Sequence, residues 1–501
     1  MKQTNNGHMR AIALLVALAS FAVSADETAA PAAQGCPRLG WSEFLPSFLK
    51  PKAAFPTDDT PVNAVDCQFH QWSWEAFVWA TALDARGMPR FLSLPTIGDL
   101  ASGKPAAGTR TLTLATRAVH GRGGAIEGTG AIVEADGNML VAPNGYPVYA
   151  SVHMNDSYFR TVCRNRVVDG GYQRNPDSDY FDVGAAVFKA TWLRLDPGQA
   201  PPAGAFVTRA NVPVLTTFLT ADNTIYAAPD GTTTTVDVAL LGLHVVGQTI
   251  NHPEFLWATF EHKDNSPRFK DGTFDPTSTA SDARTYTLYR GGTRYDRTNQ
   301  PSTQTTANST STPLSTPGTT ITTTLAATPT FTFDPATQKF SPASNAVLAN
   351  RTGGETFSPD GPANIEVLNR SAHAVLDQQA PAQRAFANYD LIGTVWMMPG
   401  TFDLASNQSN AVGSVNLANV TAETFVQNLT GSTAPASVGN CFSCHNAATF
   451  TDVAPLPNLR QRRIAISHVT AAGSLYAVPN LLSVNPPPQA GTARPATSDA
   501  Q

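Results

Sequence analysis

The amino-acid sequence predicts an α+β fold with a β-rich body and a C-terminal helical region. Three observations support this prediction. Only 14% of the 501 residues are charged while 36 are Gly and 38 are Pro, a balance that favours strands and loops over a helical bundle. The dipeptides Asp136-Gly137 and Asn144-Gly145 separate short apolar runs, as they do in β-hairpins. From Asn364 onward the pattern becomes more helical.

The first 25 residues have the pattern of a secretory signal peptide. Lys2 and Arg10 give a positive start, residues 11–23 form an apolar run, and small residues at 23–25 suit a cleavage site. The run is short for a bilayer span, so we expect no stable membrane insertion after cleavage, with an uncleaved anchor as the alternative. Cleavage removes two basic residues and no acidic ones, which takes the net charge from −5 to about −7. This acidity argues against a nucleic-acid partner.

Composition divides the remaining chain into four segments. Residues 26–60 are rich in Ala and Pro and predict an extended N-terminal arm, and residues 61–296 predict the β-rich body. Thr, Ser, Asn and Pro dominate residues 297–330, which predicts a linker or an exposed insertion. Residues 331–501 then form the C-terminal region.

Apolar patterns within these segments predict the main elements. Residues 67–81 predict a short buried helix, because Trp72, Ala76 and Trp79 fit one helical face. For His70 and Glu75 in this helix we favour packing and hydrogen bonding over a functional role. Strands are predicted at 111–114, 131–134, 138–141, 146–149 and 234–247, and residues 183–195 predict a strand or a strand that runs into a helix. A helix is predicted at 416–427.

The strongest functional motif is Cys441-Phe442-Ser443-Cys444-His445. Two thiols separated by two residues can each form a thioether with one vinyl group of haem, and the adjacent histidine can then bind the iron. A zinc site would need two further ligands, and the sequence has no second cysteine pair. A thioredoxin-like pair would not account for the histidine. The motif therefore predicts one covalently attached c-type haem in the region 331–501, with His445 as proximal ligand.

The sequence does not decide which residue is the sixth iron ligand. The chain contains no methionine after Met398, so the candidate that follows the motif is His468. Met397 and Met398 are the alternatives from the preceding sequence, and a vacant position is a further one. Histidine ligation would lower the reduction potential relative to methionine, and a vacant position would let small molecules bind the iron.

A second group of polar residues consists of His244 and residues within 257–265. Glu261, His262 and Asp264 have the chemistry for general acid–base catalysis or for a metal site, so Glu261 and His262 are candidate catalytic residues. The alternative, which we favour, is that these groups satisfy one another inside a sheet.

Three cysteines remain outside the haem motif: Cys36, Cys67 and Cys163. An exported chain predicts one disulfide among them, with one thiol left over. We favour Cys36–Cys67, which would tie the mature N-terminus to the first hydrophobic element, although the spacing alone leaves all three pairings open.

Several stretches together resemble a group of exported bacterial cytochrome c family proteins, namely residues 67–81, 242–244, 257–265, 389–394, 416–427 and 440–445. The resemblance covers much of residues 60–470. It implies that the haem region and the preceding sheet form one unit, and that the protein binds haem and transfers electrons. It supplies no substrate.

The leading hypothesis is therefore a periplasmic monohaem c-type cytochrome that exchanges electrons with a redox partner protein. A haem-dependent oxidoreductase of peroxidase or oxygenase type, with a substrate pocket in the β-rich body, is the alternative from another class. A haem-based sensor is the third. The sequence does not decide whether the protein is an enzyme.

Overall fold

The structure is a computed structural model of the chain. It describes residues 36, 40–57, 66–102, 104–105, 111–114, 140–164, 181–220, 225–267, 277–279, 284–298, 321–323, 331–348, 361–398, 411–414, 417, 419–421, 441–445 and 493–495. The predicted signal peptide lies outside the described residues, and so do the predicted strand at 131–134 and the first two residues of the one at 138–141.

Helices in the described part of the chain are α1 (Trp41–Phe44), α2 (Asp66–Thr81), α3 (Ile97–Ser102), α4 (Asp156–Arg164), α5 (Gly361–Asp377), α6 (Pro381–Arg384) and α7 (Cys441–Cys444). Short 3-10 helices cover Leu45–Leu49, Arg90–Ser93, Tyr295–Arg297 and Ala385–Asn388. Among the described helices, none combines the length and the apolar character needed to cross a membrane.

The described strands are β1 (Leu112–Thr113), β2 (Val148–Met154), β3 (Ala186–Arg194), β4 (Val207–Thr220), β5 (Ile225–Thr249), β6 (His252–His262), β7 (Ile321–Thr323), β8 (Phe331–Asp334), β9 (Lys339–Ser341), β10 (Tyr389–Met397), β11 (Ala411–Gly413) and β12 (Ala493–Pro495). Strand β3 shows that residues 183–195 form a strand and not one that runs into a helix, and β5 contains the strand predicted at 234–247. Strand β5 is rich in Val and Thr, whose branched side chains suit a pleated sheet.

Nine of these strands form one large sheet. Its path runs β1-β4-β5-β6-β10-β11, while β3 pairs with β5, β2 with β3, and β12 with β4. All pairs are antiparallel except β1–β4. Because β10 pairs with β6, the sheet contains strands from both sides of residues 297–330. Strand β7 lies within that stretch and pairs with β8, which follows it, in a separate three-stranded sheet completed by β9.

This mixed α and β content, with a large sheet as the body, confirms the predicted β-rich body. The predicted C-terminal helical region stays a prediction, because most of residues 422–501 lie outside the described part. Residues 417 and 419–421, which belong to the predicted helix at 416–427, are not helical.

The two faces of the sheet are covered by two separate cores, and β6 contributes to both. Leu256, Ala258 and Phe260 belong to the first core, which lies under helices α2 and α5. Trp257 belongs to the second core, on the opposite face, together with residues of α4 and with Phe442. This alternation follows from the two-residue period of a strand. It places every second residue of β6 on the side of the haem motif.

Helix α2 confirms the predicted buried helix. The prediction rested on one apolar face, but the helix is buried on its other sides as well. Trp74 and Phe77 both contact Phe260 of β6, with ring centroids 5.0 Å and 4.1 Å apart. Trp72 and Ala76 are fully buried as well. The helix lies between the sheet and α5, so side chains on all of its sides are removed from water.

Three buried polar side chains of α2, those of His70, Ser73 and Trp74, are paired with β10 and α5. The Thr394 hydroxyl lies 3.0 Å from His70 Nδ1 and 2.6 Å from the Ser73 hydroxyl. Trp74 Nε1 donates to Asn369 Oδ1 at 3.0 Å, and Asn369 also bonds both backbone polar groups of Leu391. For His70 these contacts fit the packing role favoured from the sequence.

The N-terminal part of the described chain packs against α2. A disulfide joins Cys36 to Cys67, with a Cα–Cα distance of 5.4 Å, which confirms the favoured pairing. Residues 41–49, which lie within the predicted extended arm, are helical, and Trp41 and Leu45 are buried in the first core. Cys163 is partly buried in α4, and burial raises the pKa of its thiol.

His70 makes the stability depend on pH. Complete burial lowers its pKa to about 3, whereas an unfolded histidine titrates near 6.5. Between these two values the unfolded state binds the extra proton, so the free energy of unfolding falls as the pH drops below about 6.5. Between about pH 7.5 and about pH 5 we expect the wild type to lose about 2 kcal/mol more than His70→Gln in urea denaturation.

The comparison uses the change with pH, because His70→Gln also alters the contact with Thr394. The other histidines are present in both proteins and cancel in the difference. Equal pH dependence in the two proteins would mean that the pKa of His70 is the same in the folded and the unfolded state, contrary to this prediction.

Candidate functional site

The Cys-x-x-Cys-His motif, residues 441–445, begins with a single helical turn. Helix α7 covers Cys441–Cys444, and the backbone N–H of His445 donates to the Cys441 carbonyl at 2.8 Å. Residues four apart on a helix lie on the same side, so this hydrogen bond brings Cys441 and His445 together. Both residues are partly exposed. The described end of the motif therefore lies at the surface of the second core.

Phe442 fixes this turn to the sheet. Its side chain is fully buried in the second core, and its ring lies 5.9 Å from the Trp257 ring in an edge-to-face arrangement. Burying a phenylalanine side chain contributes about 2–3 kcal/mol to the stability of the folded state. One variable position of the motif therefore holds the turn in place, while Cys441 and His445 remain at the surface.

The His445 imidazole lies against Trp257 of β6. The two ring centroids are 4.4 Å apart and the planes are inclined by 37°. The indole is held in turn by its own hydrogen bond, because Trp257 Nε1 donates to the backbone carbonyl of Glu254 at 3.1 Å. The orientation of the candidate iron ligand therefore depends on a buried side chain of the sheet.

The backbone that presents this carbonyl has an unusual conformation. Phe255 is fully buried and has φ +69°, a left-handed conformation that costs a bulky residue about 1–3 kcal/mol. On one side of it, Glu254 Oε1 lies 2.8 Å from His252 Nδ1 and accepts the Met397 N–H at 3.2 Å. Both side chains of the His252–Glu254 pair are almost completely buried. These contacts hold Phe255 in place and thereby set the direction of the Glu254 carbonyl.

The candidate distal ligands lie in three different environments. Met397 is fully buried in the second core, the same core that contains Phe442. Met398 is 44% exposed. His468 lies outside the described residues.

The two candidate catalytic residues of β6 point to opposite faces of the sheet. Glu261 faces the second core, where Oε1 accepts the N–H of Val420 at 3.0 Å. His262 faces the first core, 5.2 Å from the Tyr389 ring, and its Nδ1 accepts the Asp264 N–H at 3.2 Å. Burial lowers the pKa of His262 and keeps it neutral at physiological pH. Adjacent positions on a strand diverge, so the sheet does not bring this pair together.

Glu261 instead attaches the segment before the motif to the sheet. It lies opposite Gly242 of β5, where a Cβ would approach the Thr421 hydroxyl to 3.1 Å and the Phe260 carbonyl to 2.9 Å. Thr421 also lies 2.7 Å from the Thr191 hydroxyl of β3. The absence of a side chain at Gly242 thus lets residues 419–421 lie directly on the sheet.

His244 shares this face with Glu261. It lies opposite Thr259, and its Nδ1 is 3.2 Å from the Thr259 hydroxyl. Asp264 lies elsewhere, in an ion pair of 3.1 Å with Arg284. Of the predicted polar group, only His244 and Glu261 therefore share a face with Trp257 and the motif.

Sequence reasoning missed Trp257, Glu254 and His252 as supports of the motif. The available signal was the two-residue period of β6, which places Trp257 on the same face as Glu261. Nothing in the sequence, however, indicates that residues 441–445 pack on that face. Among the described residues, no group of three or more His, Cys, Asp and Glu side chains could hold a bare metal ion. Haem iron needs no such group, because the porphyrin itself supplies four nitrogen ligands.

Comparisons with models of protein families, with curated proteins and with solved structures found no match. Membership of a cytochrome c family therefore stays a prediction from the resemblance.

The contact between Glu261 and Val420 can be tested by stability measurements. Glu261→Ala leaves the buried Val420 N–H without this acceptor, so we expect the free energy of unfolding to fall by about 1–3 kcal/mol. Glu261→Gln keeps a side-chain carbonyl and should lose clearly less. Urea denaturation of the three proteins measures both effects. If alanine and glutamine cost the same, the carbonyl contact does not stabilise the fold.

Proposed function

We propose that the protein is an exported c-type cytochrome that carries one covalent haem and transfers single electrons in the periplasm. The observation that supports this most strongly is the arrangement of the Cys-x-x-Cys-His motif on the sheet. One helical turn places Cys441 beside His445, Phe442 is buried beneath it, and His445 lies against Trp257. Two thiols and a following histidine are the groups that haem c requires.

The residues that the structure describes fit this cofactor. Cys441 and His445 are partly exposed on one side of the turn, where a large planar group can reach them. Cys441 and Cys444 would carry the two thioether bonds, and His445 would bind the iron. When bound, haem supplies a one-electron iron couple whose potential depends on the axial ligands and their surroundings.

The protein's own contribution is to hold His445. The imidazole lies against the indole of Trp257, the indole is hydrogen-bonded to the backbone of Glu254, and that backbone is fixed by the buried His252–Glu254 pair. Groups that fix a metal ligand from behind limit its rotation and tune the potential. The partner in electron exchange would be a periplasmic redox protein.

A haem-dependent oxidoreductase is the second candidate, and the size of the chain favours it. Electron transfer needs a domain of only about 100 residues, far less than the 501 present here. The sixth iron ligand separates the two functions. His468 or a methionine would complete a carrier, while a vacant position would allow a peroxidase, an oxygenase or a sensor.

Covalent attachment is tested by removing both thiols of the motif. We expect Cys441→Ala with Cys444→Ala to abolish haem staining on a denaturing gel, because neither vinyl group can then be attached. Cys163→Ala is the matched control and should retain full staining. Haem staining of the double variant at the wild-type level would refute the attachment.

The carrier and the oxidoreductase are distinguished by ferric-state spectroscopy of the purified haem protein. For electron transfer we expect a low-spin, six-coordinate iron whose spectrum is unchanged by cyanide or peroxide. A high-spin iron that binds either molecule readily would contradict simple electron transfer and support the oxidoreductase.

A further inference from the structure

A cavity of about 660 Å³ lies on the side of the sheet opposite residues 441–445. It lies between α1, the 3-10 helix Leu45–Leu49, residues 53–57 and the first half of α2. This volume lies within the range of small-molecule sites in proteins. Because α2 packs on the first core and Phe442 on the second, the cavity is separate from the proposed haem site.

Four aromatic side chains line this cavity: Trp41, Phe44, Phe48 and Phe55. The Phe55 ring is held edge-on to the Trp79 ring, with centroids 5.2 Å apart. Phe44 and Phe48 lie 5.3 Å apart with their planes inclined by 82°. Aromatic pairs prefer offset-stacked or edge-to-face arrangements, so rings in these orientations offer a flat aromatic ligand both kinds of contact.

Phe44 marks the mouth of the cavity. It is 55% exposed, whereas the other three rings are at most 8% exposed. A large apolar side chain that is this exposed next to a cavity has water-accessible ring surface that a bound apolar group can cover. The cavity is therefore open to the surface at an aromatic ring.

The wall offers no charge to a ligand. Among the described residues of the wall, none is Lys, Arg or His, and Glu75 is the one acidic side chain. The Glu75 side chain is only 8% exposed and is already engaged within the protein, where Oε1 accepts a hydrogen bond from Trp41 Nε1 at 3.0 Å. An anion would meet no cation here, and a cation would find no available carboxylate. The lining therefore suits a neutral ligand.

Two neutral polar side chains of the wall can reach a ligand. Gln68 of α2 and Ser47 of the 3-10 helix line the cavity, and both are partly exposed. Among the hydrogen bonds of the described residues, none involves either side chain. A hydroxyl or carbonyl group of a ligand can therefore replace water at the Gln68 amide without breaking a contact of the fold.

We propose that this cavity binds a small neutral aromatic compound that carries a hydroxyl or carbonyl group. The aromatic part lies among the rings of the wall, next to Phe44, and its oxygen is hydrogen-bonded to the Gln68 amide. The proposal does not depend on haem binding.

2-Naphthol is the probe, because it is neutral and flat and carries one hydroxyl group. Two compounds of similar size are the control ligands: decahydro-2-naphthol keeps the hydroxyl group but has no aromatic ring, and 2-naphthoate carries a negative charge. We expect saturable binding of 2-naphthol to the full-length protein in isothermal titration calorimetry. Each control ligand should bind about tenfold more weakly, the first because it loses the ring contacts and the second because it meets no cation.

Two variants and one control test the assigned contacts. Gln68→Leu should weaken 2-naphthol binding about fivefold, with little effect on naphthalene, which has no hydroxyl group. Phe44→Ala removes an exposed ring, so it should weaken both ligands and change the stability little. Gln378→Leu makes the same change as Gln68→Leu at an exposed position outside the cavity, and the affinity for 2-naphthol should not change.

Absence of saturable 2-naphthol binding would overturn the proposal. Equal affinity for 2-naphthol and decahydro-2-naphthol would also overturn it, because the rings of the wall would then give no preference for an aromatic ligand. So would equal affinities of Gln68→Leu and Gln378→Leu for 2-naphthol, because the hydroxyl group would then not be bound at Gln68.

Discussion

Strand β6 is the element on which both halves of the molecule depend. It is buried along its length and pairs with β5 on one side and β10 on the other. Its even-numbered residues from Leu256 to Phe260 complete the first core under α2, while Trp257 and Glu261 face the second core. A slip of one residue would exchange the two sets, so the pairing register decides which side chains residues 441–445 can meet.

The motif depends on this register more than on its own helix. Helix α7 has only four residues, too few to be stable alone, since helices in water need many more residues to form. Its position comes from the burial of Phe442 and from the contact between His445 and Trp257. The side chain of Glu254 is hydrogen-bonded to His252, and its backbone carbonyl accepts the hydrogen bond of Trp257. Together with the left-handed conformation of Phe255, these contacts orient the indole.

Helices and strands with a strong local pattern could be predicted from the sequence, whereas contacts across the sheet could not. The helix at 67–81 has a strong local signal, and so has the extended segment at 183–195. The Cys36–Cys67 disulfide is the favoured pairing, although the spacing leaves all three pairings open. The separation of Glu261 from His262 also follows from strand geometry, once the strand is known to include both. The contact between Trp257 and His445 joins residues 188 positions apart, and no local pattern contains it.

The contact between His445 and the sheet bears on why a carrier of one haem would be this large. Here the ring lies on a strand whose conformation depends on β5, β10 and the packing of α2 beneath them. Under the proposed function, the body would be part of the support of the proximal ligand, whose orientation affects the potential of haem iron. The length of the chain is therefore weaker evidence for an enzyme than it is in the sequence alone.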